Sequence, residues 1–172
     1  QVFSPYGILT SLVLLTRRDA ADRSAYLHAR DTLDRLLELS VVPIVNENDT
    51  ISVEQIRFGD NDTLSAMVAA LAGADLLVIL SDIDGLYDDN PRTNPNANLL
   101  HEVARITPEI EACAAGAGSA RGTGGMVTKI HAAQIAVQNG IGMVIMNGAS
   151  PKKLYDLFEG RDVGTYFPAS RK

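Results

Sequence analysis

Short apolar runs of strand length alternate with longer segments of helical periodicity along almost the whole chain. This alternation constrains the fold more than any other feature. Residues 11–16, 41–45, 76–80 and 143–146 read as strands, the run 76–80 being the most convincing buried one. Between the first two, Tyr26, Leu27, Ala29, Leu33, Leu36 and Leu37 recur at helical spacing within residues 20–39, with Asp19 as a possible cap. Residues 63–72, 107–115, 125–139 and 151–159 are also expected to be helical. Strands separated by helices imply a parallel sheet covered on both faces, so the expected class is α/β, a three-layer α/β/α sandwich with a mainly parallel central sheet.

The bulk properties remove several classes of function. At 172 residues the chain suits one domain, and 46% hydrophobic with 21% charged residues gives it enough apolar surface for a real core. A formal charge of −6 without a basic stripe argues against a nucleic-acid partner. The longest apolar stretches, 66–72 and 76–80, are too short to span a bilayer, so no membrane partner is expected. No signal-peptide pattern opens the chain. The single cysteine, Cys113, excludes an internal disulfide framework and fits a cytoplasmic location; in its helical setting it reads as a small packing residue. The chain starts Gln1-Val2-Phe3-Ser4 without methionine, which leads us to expect a longer biological protein.

In open parallel sheets, ligands bind beyond the carboxyl ends of the strands. Here the residues just after three strands are Asn46-Glu47-Asn48-Asp49, Ser81-Asp82-Ile83-Asp84-Gly85 and Asn147-Gly148, the first two dense in polar side chains. The run Gly122-Thr123-Gly124-Gly125-Met126-Val127-Thr128-Lys129 passes from glycines into a helix. A helix start offers N–H groups and the positive end of a dipole, glycines allow close backbone approach, and a lysine adds a mobile charge, so the segment suits phosphate. A flexible turn before an ordinary helix is the alternative. Residues 114–125, rich in Gly, Ala and Ser, suggest a loop over the site. In Gly59-Asp60-Asn61-Asp62-Thr63-Leu64-Ser65, Asp62 could cap a helix, yet two aspartates and an asparagine exceed what capping requires. Carboxylates near a phosphate site orient lysines or hold Mg2+.

Other motifs fail on inspection. No Walker-type Gly-x-x-x-x-Gly-Lys-Ser/Thr occurs, and Gly122-Thr123-Gly124 lacks the third glycine of a dinucleotide site at Val127. Asp82-Ile83-Asp84-Gly85 has the wrong ligand spacing for a calcium loop, and His28, His101 and His131 share no metal spacing, so no metal ligands are assigned. Paired carboxylates could serve a glycosidase, but the chain has no Trp to pack a sugar.

Taken together, residues 42–49, 58–65, 80–87 with Asn90-Pro91-Arg92, and 122–129 resemble the amino-acid kinase family, and within it the branch that phosphorylates glutamate. The resemblance spans nearly the whole chain, including Ala29-Arg30-Asp31-Thr32-Leu33. It implies the amino-acid kinase fold and transfer of the ATP γ-phosphate to the side-chain carboxylate of L-glutamate, the first step of proline synthesis, with Mg2+ travelling on ATP. By resemblance, Asp49 and Asn61 hold glutamate with Asn46 nearby, Asp62 organises the catalytic lysines, and Lys129 stabilises the transition state. Thr123, Gly124, Gly125, Met126, Val127, Thr128 and Lys129 would line the nucleotide phosphates, with Ser81 and Asp82 at the nucleotide end and Tyr87 and Pro91 beside the adenine. The resemblance also implies a homo-oligomer and feedback inhibition by proline. Family members begin with a glycine-rich strand-turn-helix carrying a second catalytic lysine, and many bacterial ones end in a PUA domain; residues 1–172 contain neither. The chain is therefore expected to be the C-terminal, nucleotide-binding portion of the kinase domain with part of the glutamate site, its N-terminal part missing. A kinase for another small acid, and a non-catalytic sensor or inactive fragment on the same scaffold, remain the alternatives.

Overall fold

The computed structural model describes residues 2–48, 60–116 and 125–170. After a 3-10 turn at Ser4–Tyr6 the elements are β1 (Leu9–Leu15), α1 (Arg17–Ala21), α2 (Arg23–Glu38), β2 (Val41–Glu47), α3 (Asn61–Leu71), β3 (Leu76–Ser81), α4 (Pro108–Gly116), α5 (Met126–Gln138), β4 (Gly142–Asn147), α6 (Lys153–Phe158) and β5 (Gly164–Phe167). The α/β class and the strand–helix alternation agree with the sequence pattern. Among the described residues no helix is long and apolar enough to cross a membrane.

The strands pair β1–β2 and β3–β4 in parallel and β4–β5 antiparallel. Among the described residues they pair as two sets, β1–β2 and β3–β4–β5. A groove of about 450 Å³ runs between them, with Pro43 and Val45 of β2 on one side, Leu77 of β3 on the other, and Asn61, Leu64 and Val68 of α3 along it. The helix α3 joins the two halves. Its Leu64 and Leu71 bury with Leu15 of β1 and Leu33 of α2, whereas Ala66 and Ala69 belong to the larger core with Ile79, Ile130, Met143, Ile145 and Phe167. A helix apolar on two faces is one enclosed by its neighbours.

Two local expectations are corrected and one strand is added. The run 76–80 is not the most buried strand: β3 lies at the edge of its sheet with Leu80 exposed, while β4, flanked on both sides, is buried from Gly142 through Met146. Asp19 is not the N-cap of a helix over 20–39, because the chain breaks at Asp22 into two helices. Asp19 instead accepts the Thr16 N–H at 2.6 Å and the Thr16 hydroxyl at 2.7 Å, closing a capping box on α1. Asp22 caps α2 by accepting the Ala25 N–H at 2.9 Å. The strand β5 was not anticipated; it seals the sheet edge, and Gly164 sits so close to Ile145 O that a Cβ there would lie 2.1 Å from it. Cys113 is half-buried against the larger core, in keeping with a packing role.

Candidate functional site

Connectivity brings the polar segments to one edge. From the C-terminus of α3 the chain turns within a few residues into β3, and from α5 into β4, so both helices run antiparallel to those strands. Their N-termini therefore lie at the carboxyl ends of β3 and β4, where Ser81 and Asn147 also end their strands. Alanines let the two helices approach closely: Ala66 on α3 and Ala132, Ala133 and Ala136 on α5 have no exposed surface.

At the head of this seam, Asp60 caps α3 by accepting the Thr63 N–H at 2.6 Å and the Thr63 hydroxyl at 3.0 Å. Asp62, in the first turn of α3, reaches across to α5. Its Oδ2 accepts from Lys129 Nζ at 3.0 Å and from the Thr128 hydroxyl at 2.7 Å. The pair is largely withdrawn from solvent, with the Lys129 side chain 11% and the Asp62 side chain 16% exposed. Removing one member of such a pair strands the other charge, at a cost of about 3–5 kcal/mol. A second crossing lies beside it, with His131 Nδ1 3.3 Å from Thr63 Oγ1.

The ends of β3 and β4 are stitched by the Gly148 N–H donating to Ser81 O at 2.8 Å. Ser81 donates its hydroxyl to exposed Asp82 at 3.2 Å, and Arg92 approaches Asp82 at 4.0 Å. Asp84 accepts from Asn147 Nδ2 at 3.0 Å and from the Tyr87 hydroxyl at 3.4 Å. Burial, then the charge of Asp84 and its hydrogen bond, raise the Tyr87 phenol above its ordinary value. In the loop beyond, hydrogen bonds from the Asn98 side chain and backbone lower the Asp88 carboxyl, and Asn94 with the Asn90 N–H lowers Asp89. Gly85 allows this loop to pass β5: a Cβ there would lie 2.5 Å from the Thr165 hydroxyl, which accepts the Leu86 N–H at 2.8 Å.

Of the residues the sequence singled out, Asp62, Thr128 and Lys129 meet directly. Asn61 is exposed at the first position of α3, beside the groove, and Asn46 is exposed near the end of β2. Gly125 precedes α5 in an extended conformation, Met126 is buried in the core and Val127 is exposed. Tyr87 and Pro91 are half-buried in the loop after β3. Asp49, Thr123 and Gly124 lie outside the described residues, as does most of the 114–125 loop. Sequence reasoning missed Thr63 and His131 as partners; the one signal was the threonine three residues after Asp60, the spacing of a cap. Among the described residues no group of three or more His, Cys, Asp or Glu side chains could hold a metal ion.

Fold and site thus define an α/β protein whose polar groups gather where two helix N-termini meet the carboxyl ends of parallel strands. The chain belongs to the amino acid kinase family, whose model matches residues 1–147. It is 54% identical over 167 residues to glutamate 5-kinase of Geobacter sulfurreducens, covering 97% of this chain and 45% of that protein. To glutamate 5-kinase of Clostridium perfringens it is 52% identical over 173 residues, covering 98% of this chain and 64% of that one. The chain thus spans roughly half to two thirds of the length of these relatives. The crystal structure of UMP kinase from Ureaplasma parvum superposes with a TM-score of 0.63 at 17% identity, covering 96% of this chain and 62% of that one, which is a likeness of fold.

Proposed function

We propose that the chain is the nucleotide-binding portion, with part of the acceptor site, of a glutamate 5-kinase that moves the γ-phosphoryl group of ATP to the side-chain carboxylate of L-glutamate. The observation that carries this reading is the withdrawn Lys129–Asp62 pair, 3.0 Å long, at the meeting of two helix N-termini. Phosphoryl transfer asks a protein chiefly for positioning and for neutralisation of charge on the transferring group. The two helix ends and Lys129 supply positive potential, and Asp62 keeps the ammonium from swinging into solvent. A carboxylate acceptor is already deprotonated, so the reaction needs no general base.

In this reading Asp49, Asn61 and Asn46 hold glutamate, the carboxylate on the substrate ammonium and the amides on its carboxylate. Residues 123–129 line the nucleotide phosphates, with Ser81 and Asp82 at the nucleotide end. Mg2+ would come with ATP as part of the nucleotide substrate and would offset part of its phosphate charge. The high identity to two named glutamate 5-kinases supports the acceptor choice. An oligomeric assembly and inhibition by proline complete the proposal.

The test is an acceptor panel with the complete protein and ATP. Glutamate is expected to be phosphorylated in preference to aspartate, acetylglutamate and uridylate; turnover of one of these without glutamate would overturn the assignment. Lys129→Ala should lower kcat on the order of 100- to 1000-fold and leave the glutamate KM nearly unchanged. A raised glutamate KM at unchanged kcat would remove Lys129 from the chemistry.

A further inference from the structure

Thr128 stands one position before Lys129 in the segment expected to line the phosphates, yet its hydroxyl is engaged inside the protein. The oxygen lies 2.7 Å from Asp62 Oδ2 and 2.7 Å from the carbonyl oxygen of Gly125. One hydroxyl carries one proton. Of its two acceptors the charged carboxylate is the stronger, so the proton favours Asp62. The same Oδ2 accepts from Lys129 Nζ at 3.0 Å. A carboxylate oxygen held by two donors from consecutive residues of one helix has little freedom to rotate, since turning it would break both bonds.

We infer that Thr128 is a positioning residue: its hydroxyl fixes Asp62 Oδ2 where that atom holds the Lys129 ammonium, and only its backbone is left to face the nucleotide. The neighbouring side chains leave this task to Thr128, because Met126 is buried in the core and Val127 is exposed. Ser65 does not share it, because its hydroxyl donates to the backbone carbonyl of Asp62 and leaves the carboxylate alone. The Thr128 N–H donates to the Gly125 carbonyl at 3.2 Å, so the residue that holds Asp62 is itself held by the residue that ends the glycine run. The kinetic part of the inference rests on the phosphoryl transfer proposed above.

The test uses the complete protein with Thr128→Val, which keeps the shape and removes the hydroxyl, and Thr128→Ser, which keeps the hydroxyl. Loss of one hydrogen bond to a charged group predicts a kcat about 10- to 100-fold lower for Thr128→Val. Both substrate KM values should stay within about twofold, and Thr128→Ser should recover most of the rate. A raised ATP KM with kcat retained, or a serine variant as impaired as the valine one, would overturn the inference in favour of nucleotide contact or simple packing. The NMR signal of the Lys129 ammonium protons supplies a readout independent of turnover. It should shift or broaden in Thr128→Val and not in Thr128→Ser; identical spectra would overturn the positioning role. A wild-type protein that phosphorylates no acceptor would sink the functional proposal, and the ammonium signal would still decide the fate of Thr128.

Discussion

The two sheets differ in how completely they are enclosed. In β3–β4–β5, the central strand is buried from Gly142 through Met146, and Met143, Ile145 and Met146 expose no surface. In β1–β2, one face packs Leu15 and Val45 against α2 and α3, while the other leaves Leu12 68%, Leu14 44%, Val42 44% and Ile44 44% exposed. Both contain a parallel pair of strands rich in β-branched residues and leucine, so composition does not separate them. Closure does: β4 has a strand on each side, and β2 ends at the groove. The Lys129–Asp62 pair belongs to the closed half, reached through α3, the one helix among the described residues that contributes to both cores. A site that must hold a charged pair out of water is built where the surrounding packing leaves no slack.

This contrast can be broken by experiment. The largest effect should come from Ile145→Ala in β4, a fully buried position, at about 2–5 kcal/mol of stability by denaturant titration. A loss below 1 kcal/mol would mean that the closed half is less tightly packed than the geometry shows. Next is Ala66→Val, which overfills the α3–α5 seam and should cost about 1–3 kcal/mol. Ile44→Ser, on the exposed face of β2, should change the stability of this chain by no more than about 0.5 kcal/mol. A cost for Ile44→Ser rivalling that for Ile145→Ala would erase the distinction between the halves.

The smallest effect concerns pH. The Asp88 and Asp89 carboxyls are lowered by hydrogen bonds from Asn98 and Asn94. A lowered carboxyl contributes stability that is complete above its unfolded value and is lost as pH falls through its folded one. Ordering of the loop after β3 should therefore be constant at neutral pH and weaken only below about pH 4. Amide exchange across residues 84–99, compared with the rest of the chain, measures it; loosening as pH rises would contradict the sign.

Much of the fold was legible because it is local. Strand and helix periodicity located nine of the elements to within a few residues, since hydrophobic spacing is a property of neighbouring positions. The strand β5 escaped because Gly164–Phe167 is too short for a pattern and is held by the chain beside it. Asp19 and Asp22 both resemble caps, and only the extended backbone at Asp22, φ −86° and ψ 126°, decides between them. For the site, the helix N-termini could be read from glycine, aspartate and threonine. The contacts between them could not. Lys129 and Asp62 are 67 residues apart, and Thr63 and His131 are 68 apart, so no spacing rule joins them. Only the resemblance linked Asp62 to the lysine, and nothing in the sequence linked His131 to Thr63.

The alanine seam between α3 and α5 has one more consequence. With Ala66, Ala132, Ala133 and Ala136 at zero exposure, the two helices behave as the jaws of a fixed caliper. Asn61 rides on one jaw and Lys129 on the other, so the gauge between them is set by methyl groups that begin about one turn along each helix. A change of one carbon atom in that seam would alter the reach between the two groups before it melted anything.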